Sequence, residues 1–487
     1  MSSHSALAPL VVALDIGTSS VRALVFDSSG HKVGEETQIP YEQNTTSDGG
    51  VEVGADFLLS LSEKCLDELL PKVEGEISAI GISCFWHSLL AVDENGAAQT
   101  AVLSWADNRA AAWVKVLGTM MDEVEAHARL GCVFHTSFWP AKLLWLRDCK
   151  PELFSAEKPL QWLGFGEFVR LKWCGDGAMS LSMASGTGLF NQNAADFDEE
   201  MLSHLPISRE NLPALCDLEN GLELSDELKN RWPQLKNAKI FPAIGDGAAS
   251  NIGSGCADET KIGLNAGTSG ALRVVLRDFT GQAPRGLWRY RIDKNRSIVG
   301  GALSNVGNLL VWARETFKIP EDWQIAIANV EPDSHGLTVL PFLAGERAPI
   351  WNGEARFVLS GANLNTNPTQ ILRAVAESAA LRFAAVGTLL LELAPEAEIV
   401  FSGGALEKVP VWQPIVCDAI GANLTQSKEH EASARGAALL ALESLGVVDD
   451  AANVPFDRGE TLEPNAANHA IYERALARQN TLYEKTK

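Results

Sequence analysis

The chain has 487 residues, of which 46% are hydrophobic and 21% are charged, and its formal net charge is −22. The length allows two or three domains, and so acidic a surface argues against binding to nucleic acid or to anionic membranes. The eight cysteines form no Cys-x-x-Cys pair and no uncharged apolar stretch approaches 18 residues, so we expect no structural zinc, no membrane span and a cytoplasmic protein.

The first predicted element is a hairpin whose turn is rich in hydroxyl groups. The stretches on both sides of residues 15–20 are apolar and β-branched, which predicts two strands. Between them lie Asp15, Gly17, Thr18 and Ser19. Such a turn can direct backbone N–H groups and hydroxyls at phosphate oxygens. A carboxylate two residues before the glycine suits a hard cation such as Mg²⁺.

Aromatic and polar residues follow the next buried strand. The spacing of apolar residues predicts a helix over residues 55–70, and a buried strand is predicted over residues 77–83. Trp86 and His87 come just after that strand. The carboxyl end of a strand is a common place for a ligand in α/β proteins. For His87 the alternative is a hydrogen-bonded core histidine.

The next part of the chain is predicted to be helical. Asp107 is expected to cap a helix, with an ion pair as a further structural role. Helices are predicted over residues 120–150, with an interruption at residues 131–135. Lys142 lies in an amphipathic stretch, where a solvated helix face is the default expectation.

Asp246 stands between Gly245 and Gly247, after an apolar strand and before a helix of small residues. Glycines on both sides would let another molecule come close to this carboxylate. An ordinary aspartate in a turn is the alternative interpretation.

The pattern of the first hairpin then returns at an offset of 250 residues (267 minus 17). The glycine, threonine and serine recur as Gly267, Thr268 and Ser269, whereas Asn265 takes the place of Asp15. One copy of such a turn is weak evidence for phosphate binding. Two copies with matching flanks predict two similar lobes, each with a phosphate loop, of which only the first carries the acid suited to a metal.

The remaining elements end in a glycine pair and a small-residue helix. A long helix is predicted over residues 368–393, and the strand after it ends at Gly403 and Gly404. Paired glycines admit a flat ligand such as adenine, although a tight turn explains them equally. Residues 433–438 begin a helix of small residues whose backbone can pack closely against a neighbour. The acidic segment after this helix is expected to be peripheral.

Taken together, these motifs resemble the FGGY carbohydrate kinases over nearly the whole chain. The motifs that carry the resemblance are residues 15–19, 245–247, 265–269, 361–380 and 401–405. The resemblance implies an α/β fold of two actin-like (ribonuclease H-like) lobes, with mixed sheets flanked by helices and an active site in the cleft between them. We expect an N-terminal lobe over residues 1–254 and a C-terminal lobe over residues 255–487.

Within that family, the chain is most similar to the gluconokinase branch. The basis is residues 86–93, 105–109, 185–190 and 340–351, together with the spacing from His135 to Lys142. Two features depart from the branch: Trp86 stands where Met is usual, and Phe138 and Trp139 are bulkier than expected. Both lie near the expected sugar pocket, so they leave the substrate open.

The resemblance also implies a reaction and roles for individual residues. The reaction is transfer of the γ-phosphoryl group of ATP to a hydroxyl of an open-chain sugar acid, with gluconate as the first choice, and it requires Mg²⁺. Asp246 would accept the proton of the attacking hydroxyl, and Asp15 would hold the metal. The nucleotide is expected to contact Gly17, Thr18, Ser19, Arg22, Gly267, Thr268, Asn308, Gly403 and Gly404. The sugar is expected to contact Trp86, His87, Asp107, Arg109, His135, Lys142 and Asp246.

Two other functions stay open at this point. A kinase of the same family could act on a neutral ketose or polyol, such as xylulose or glycerol. A non-catalytic nucleotide sensor on the same scaffold would be expected to lack Asp15 or Asp246, and both are present. The expected partner is a small sugar or sugar acid, with no nucleic acid and no membrane, and a homodimer is an option that no sequence feature decides.

Overall fold

Two mixed sheets form the centres of two lobes. The structure, a computed structural model, describes residues 7–317, 319 and 321–487. In this part of the chain the first large sheet has six strands and the second has seven. Helices cover both sheets, and small two- and three-stranded sheets decorate the lobes.

The strands and helices of the first lobe lie between residues 10 and 253. Its strands are β1 (Leu10–Ile16), β2 (Ser20–Phe26), β3 (Lys32–Pro40), β4 (Asn44–Thr45), β5 (Val51–Val53), β6 (Ile77–Cys84), β7 (Leu90–Val92), β8 (Val102–Leu103), β9 (Gln161–Leu163), β10 (Met179–Ser180), β11 (Phe190–Asn191), β12 (Asp196–Phe197), β13 (Leu215–Cys216), β14 (Lys239–Ile240) and β15 (Ile244–Gly245). Its helices are α1 (Ala55–Leu69), α2 (Ala111–Met120), α3 (Glu123–Leu130), α4 (Trp139–Cys149), α5 (Phe165–Cys174), α6 (Leu181–Ser185), α7 (Glu199–Ser203), α8 (Asp226–Arg231) and α9 (Asp246–Gly253).

The second half of the chain contains the two longest helices among the described residues. Its strands are β16 (Lys261–Ala266), β17 (Gly270–Arg277), β18 (Trp288–Arg291), β19 (Arg296–Leu303), β20 (Thr338–Leu340), β21 (Val358–Ser360), β22 (Glu398–Ser402), β23 (Leu424–Ser427) and β24 (Arg458–Leu462). Its helices are α10 (Gly307–Thr316), α11 (Trp323–Ala328), α12 (Pro368–Leu391), α13 (Gly404–Glu407), α14 (Trp412–Ile420), α15 (Ala432–Ser444) and α16 (Ala466–Thr486).

The two large sheets share one strand order, which confirms the predicted duplication. Strand β1 pairs antiparallel with β2 and parallel with β6, and β16 pairs in the same way with β17 and β22. Asp15 therefore lies opposite Ser83 in the first sheet, as Asn265 lies opposite Ser402 in the second. The two hairpin turns extend from equivalent edges of the two sheets.

Helix α12 is the central helix of the second lobe. Asn367 caps its first turn by accepting a hydrogen bond from the N–H of Gln370, and Pro368 occupies the first helical position, where no N–H is needed. The helix is long and apolar enough to cross a membrane, but 78% of its apolar window is buried inside the fold. It therefore packs as a core helix.

Helix α15 belongs to the second half of the sequence but packs on the first lobe, against α9 and β6. Small residues make this close contact possible, because a Cβ on Gly253 would lie 1.8 Å from the Ala432 carbonyl oxygen, and one on Gly436 would lie 1.9 Å from that of Ala249. The core of the first lobe thus draws on both predicted chain segments, 1–254 and 255–487.

Two local predictions were wrong. The C-terminal segment is not peripheral, since β24 pairs with β23 in the second sheet and α16 buries Tyr472 and Gln479. Asp107 is not a helix cap, because α2 begins only at Ala111. The side chain of Asp107 instead accepts hydrogen bonds from the backbone N–H groups of Val51 and Arg109.

Candidate active site

A cavity of about 260 Å³ opens where the two lobes face each other. The side chains that line it come from both lobes: Thr18, Trp86, His87, Trp105, Ser137, Phe138, Asp246, Asn265, Ser269, Ala271, Arg273, Trp288, Tyr290, Arg347 and Trp351. The volume suits a small molecule rather than a macromolecule. We call this space the acceptor cavity.

Asp246 lies at the first position of α9 and faces the acceptor cavity. One of its carboxylate oxygens accepts a hydrogen bond from the Gly247 N–H at 2.8 Å. Burial raises the pKa of this carboxyl, while the guanidinium of Arg273 and neighbouring backbone N–H groups oppose that rise. A carboxylate with a raised pKa is suited to take up a proton during a reaction.

The space beside the two glycines that flank Asp246 is filled by Trp86. A Cβ on Gly245 would lie 1.8 Å from Cε2 of the indole, and one on Gly247 would lie 2.7 Å from Cζ3. The indole N–H donates to the Ser182 carbonyl at 3.0 Å, which fixes the ring. The group that these glycines admit is therefore the chain's own Trp86, which packs against the backbone that carries Asp246.

His87 is placed to accept a hydrogen bond from a ligand. Its Nδ1 contacts the Gly186 carbonyl oxygen, which can only accept, so Nδ1 carries the proton and Nε2 keeps a free lone pair. The pKa of His87 is lowered to about 3, mainly by burial and with a smaller contribution from the positive charge of Lys142, against the opposing hydrogen bond to Gly186. The ring is thus neutral at physiological pH.

Strand β18 supplies an aromatic wall to the acceptor cavity. Trp288 and Tyr290 stack with ring centroids 4.4 Å apart, and Tyr290 meets Trp86 edge-on at 5.0 Å. None of the second-lobe aromatics was predicted as a site residue. Their signal was the alternation of Trp288 and Tyr290 on one face of a short strand.

Two arginines of the second lobe, Arg273 and Arg347, also face the acceptor cavity and were not predicted. The Arg347 guanidinium lies 5.7 Å from the ring centre of Trp105 and donates to the Leu303 carbonyl at 3.2 Å. Among residues 7–317, 319 and 321–487, neither arginine has an ion-pair partner within 4.0 Å. Burial lowers the pKa of both. Arg273 lies two residues after Ala271, on the same face of β17, and both line the acceptor cavity.

A second cavity, also of about 260 Å³, adjoins the acceptor cavity, since Asn265 lines both. Gly403 and Gly404 line it, as do several carboxylates and one guanidinium: Asp15, Glu407, Glu429, Glu431 and Arg22. Arg22 is held by Glu431 at 2.7 Å. We call this space the nucleotide cavity.

Asp15 has the environment of a metal ligand. One of its oxygens accepts from the Ser83 hydroxyl at 2.8 Å. Burial raises the pKa of Asp15 to about 6, against the lowering effects of Ser83 and Arg22. A buried carboxylate surrounded by further acids calls for a cation, and oxygen ligands suit Mg²⁺. The residues that face the nucleotide cavity therefore fit Mg²⁺ and a phosphate chain.

Each hairpin turn is closed by a hydrogen bond from its glycine, although the acceptor lies three residues on in the first turn and two residues on in the second. The Gly17 N–H donates to the Ser20 carbonyl at 3.0 Å, and the Gly267 N–H donates to that of Ser269 at 2.9 Å. Their hydroxyl residues stay at the surface of the cleft, with Ser19 and Thr268 exposed. Thr18 lines the acceptor cavity from the first turn.

Asn308 supports the second turn from behind. Its backbone N–H donates to the Thr268 carbonyl at 3.2 Å, and its side-chain oxygen accepts from the N–H groups of Val306 and Leu309. The side chain is therefore occupied within the chain, and its predicted contact with the nucleotide would have to be made through the turn that it holds.

Four predicted sugar contacts do not line the acceptor cavity. Asp107 and Arg109 bond to each other, and the guanidinium also contacts Glu52 and lies 4.5 Å from the ring centre of Trp145. Lys142 donates to three backbone carbonyls, as described below. His135 contacts a lining residue instead, with its Nδ1 3.0 Å from the Ser137 hydroxyl. Burial lowers the pKa of His135 to about 4.

Comparisons with known proteins point to one family over most of the chain. The N-terminal domain of the FGGY family of carbohydrate kinases matches residues 10–253, and its C-terminal domain matches residues 263–445. A gluconokinase of Bacillus subtilis (strain 168) is 26% identical, covering 97% of this chain and 94% of its own.

Two solved structures match both lobes together. A gluconate kinase from Lactobacillus acidophilus superposes with a TM-score of 0.91 at 26% identity, covering 98% of this chain and 99% of its own. A ligand-bound xylulose kinase from the same organism also gives a TM-score of 0.91, at 25% identity, covering 98% of this chain and 100% of its own. The fold is therefore the two-lobed fold that these kinases share.

Proposed function

This chain belongs to the FGGY family of carbohydrate kinases, and from that premise we propose that its acceptor is an open-chain sugar acid, with gluconate converted to 6-phosphogluconate. The observation that carries the proposal is the charge of the acceptor cavity. Two guanidiniums and one carboxylate face it, a net charge of +1 (two minus one) with His87 neutral. A carboxylate ligand would complete this set, whereas a neutral ketose would leave a buried guanidinium without an anion.

The order of these charges along the acceptor cavity favours an extended acid. Arg273 lies against Gly247, next to Asp246, since its Nε is 3.1 Å from where a Cβ on Gly247 would be. Arg347 lies elsewhere in the lining, 5.7 Å from the ring centre of Trp105 and bonded to the Leu303 carbonyl. A sugar acid whose terminal hydroxyl lies at Asp246 would direct its carboxylate toward Arg347.

The proposed roles follow from this placement. Asp246 accepts the proton that the hydroxyl loses while its oxygen bonds to the γ-phosphorus and ADP leaves. His87 accepts a hydrogen bond from a hydroxyl along the chain of the acid, and the aromatic rings exclude water, which would otherwise consume ATP. Mg²⁺, held by Asp15, would neutralise charge on the phosphate oxygens. Arg22, the two hairpin turns and Gly403–Gly404 are proposed to contact the nucleotide. All eight cysteines are free thiols, which suits the cytoplasm that we propose as the compartment.

The first test is ADP release with Mg²⁺ and one of five acceptor conditions: gluconate, glucitol, xylulose, glycerol or none. Glucitol has the length of gluconate without the carboxylate. We expect turnover on gluconate to exceed that on every neutral acceptor, and Asp246→Asn to lower kcat by about 10²-fold or more. Preferential turnover on xylulose or glycerol would overturn the choice of acceptor, and near-normal turnover by Asp246→Asn would overturn the base.

The second test removes the proposed carboxylate ligand. Arg347→Met should raise the KM for gluconate by about 10- to 10²-fold, since a charge-assisted pair is worth roughly 1.5–3 kcal/mol. The KM for glucitol should stay within about threefold, because it has no carboxylate to lose. Arg356→Met is the matched control: Arg356 is exposed on the same segment and bonds only to backbone carbonyls nearby. Equal effects of Arg347→Met on both acceptors would contradict the assignment.

A further inference from the structure

Arg273 reaches from the second lobe to the backbone beside the proposed base. It lies on β17, opposite Gly263 of β16 and Gly300 of β19. Neither neighbour has a side chain, and a Cβ on Gly300 would lie 2.9 Å from Cγ of Arg273. At its other end, Nε lies 3.1 Å from where a Cβ on Gly247 would be. The side chain therefore spans the cleft and ends next to Asp246.

The guanidinium of Arg273 depends on Asp246 for charge compensation. Its Nε is buried without a hydrogen-bond partner. A buried, unpaired guanidinium is costly unless an anion lies nearby. Within the described residues, Asp246 is the carboxylate that faces the same cavity, and the other charged group there, Arg347, has the same sign as Arg273. The two groups are too far apart for a direct ion pair within 4.0 Å, which leaves room for an acceptor hydroxyl between them.

We propose that Arg273 is a positioning residue for the reaction: it holds the Asp246 carboxylate ionised and directed at the acceptor hydroxyl, and it does so from the opposite lobe. This inference rests on the proposed function, in which Asp246 accepts the hydroxyl proton. It also means that the base reaches its working state only when the two lobes meet.

Burial, Arg273 and backbone N–H groups set the ionisation of Asp246, and two further titratable groups, Asp15 and Cys84, lie near it. Burial raises its pKa, and Arg273 on β17 is the strongest opposing influence. The pKa of Asp15, at the end of β1, is raised to about 6 mainly by burial, and the negative charge of Asp246 adds to that rise. Cys84 at the end of β6 stays a thiol, since burial raises its pKa far above neutral. Backbone N–H groups of Gly247 and Trp86 act in the same direction as Arg273.

The test is the pH profile of kcat/KM for the acceptor at saturating Mg²⁺ and ATP, which keeps Asp15 ionised. Arg273→Met should lower kcat/KM at pH 7 by about 10- to 100-fold and move the acid limb upward by about one pH unit. Arg273→Lys keeps the charge and should restore most of the acid limb. If Arg273→Met does not fold, Arg273→Lys still tests the inference. It moves the positive charge without removing it, so it should lower kcat/KM without moving the acid limb of the pH profile.

A double-mutant cycle separates this role from direct binding of the acceptor. If Arg273 acts through Asp246, then Arg273→Met in the Asp246→Asn background should cost less than about threefold. A large rise in the KM for gluconate in that background would make Arg273 a ligand of the acceptor and overturn the inference, as would an unmoved acid limb. Failure of the proposed function is recognised separately, because the unmodified enzyme would then not turn over gluconate. The pH profiles of the Arg273 variants would in that case be measured with the acceptor that the enzyme does use.

Discussion

The ammonium group of Lys142 is enclosed by backbone carbonyls of the acceptor cavity wall. Its Nζ donates to the carbonyl oxygens of Ser104 at 2.7 Å, Ser137 at 3.0 Å and His87 at 3.3 Å. These bonds use all three N–H groups of the ammonium. Two of the partners, His87 and Ser137, also line the acceptor cavity. Lys142 therefore fixes the wall and has no donor left for a substrate.

Lys142→Met should destabilise the protein and loosen this wall. Three carbonyls would lose their donor, which we expect to lower the free energy of unfolding by about 2–4 kcal/mol. The KM for gluconate should rise several-fold, since His87 and Ser137 would no longer be fixed. The measurements are urea unfolding and steady-state kinetics. Lys115→Met, at an exposed lysine of α2, is the control and should change neither quantity.

The same substitution should remove a dependence of stability on pH. Burial lowers the pKa of Lys142 to about 7 from an ordinary 10.5. Between these values the unfolded chain holds one more proton than the folded chain, so stability rises with pH. The unmodified protein should therefore gain roughly 1–2 kcal/mol over Lys142→Met between pH 7 and pH 9. An unchanged difference at the two pH values would show that Lys142 stays charged in the fold.

At the scale of single residues, the sequence predicted the cavity residues that directly follow a buried strand. Trp86, His87 and Asp246 follow the ends of buried strands, and all three line the acceptor cavity. It could not predict which cationic side chains are paired with acids and which face the cavity, because the pairing depends on partners distant in the chain. Arg109 is paired with Glu52, whereas Arg273, which looked like an ordinary strand residue, has no ion-pair partner among the described residues.

Among the elements, the turn after β22 is fixed by the strand beside it. Gly403 has φ +103°, and a Cβ there would lie 2.6 Å from the Ala266 carbonyl oxygen. Its N–H donates to Glu407 at 3.0 Å. Ala266 directly precedes the second hairpin turn, so this glycine brings two parts of the nucleotide cavity together. The glycine pair was predicted from sequence as either a tight turn or a ligand surface; Gly403 has the positive φ of a turn, and both glycines line the nucleotide cavity, so a contact with the ligand stays a proposal.

Gly403→Ala should impair the nucleotide side of the cleft selectively. The positive φ and the contact with Ala266 should cost about 1–3 kcal/mol of stability. The KM for ATP should rise by about tenfold or more, while the KM for the acceptor changes little. Gly446→Ala is the matched control, because Gly446 also has a positive φ, does not line the nucleotide cavity and has nothing within 4 Å of an added Cβ. Thermal unfolding and ATP titration check both variants, and similar results for the pair would contradict the role of Gly403.

On the scale of the whole molecule, the first lobe covers the free edge of the second sheet. Strand β18 is that edge. The Arg289 N–H donates to the Gly131 carbonyl at 2.7 Å, the Arg291 N–H donates to the Ser185 hydroxyl at 2.8 Å, and His127 donates to the Leu287 carbonyl at 2.7 Å. An edge strand left open would invite pairing with another chain. Here it joins the lobes and holds the aromatic wall of the acceptor cavity.

The sequence predicted the duplication of the lobes but not how they join. Each hairpin and each buried strand is determined by residues close together in the chain, so the matching strand orders could be expected from residues 15–20 and 264–270. The return of α15 to the first lobe depends on contacts between residues far apart, such as Gly253 with Ala432. The burial of α16 likewise depends on the surface that α12 and α14 offer it. Neither contact leaves a local pattern.

Gly131 offers a direct test of the join between the lobes. It ends α3 in the left-handed conformation, and a Cβ there would lie 2.4 Å from the Arg289 carbonyl oxygen. Gly175 ends α5 in the same conformation, with nothing within 4 Å of an added Cβ. Both alanine variants should therefore lose about 1 kcal/mol for the left-handed residue. Only Gly131→Ala should also push β18 away from the first lobe.

Because β18 carries Trp288 and Tyr290, that displacement should reach the acceptor. We expect Gly131→Ala to raise the KM for gluconate by about tenfold and to lower the unfolding temperature more than Gly175→Ala, whose kinetics should match the unmodified enzyme. Steady-state kinetics and thermal unfolding of the two variants side by side provide the comparison. If both variants kept the original KM, the aromatic wall would be held by its own stacking rather than by the first lobe, and closing the cleft would not depend on this edge strand.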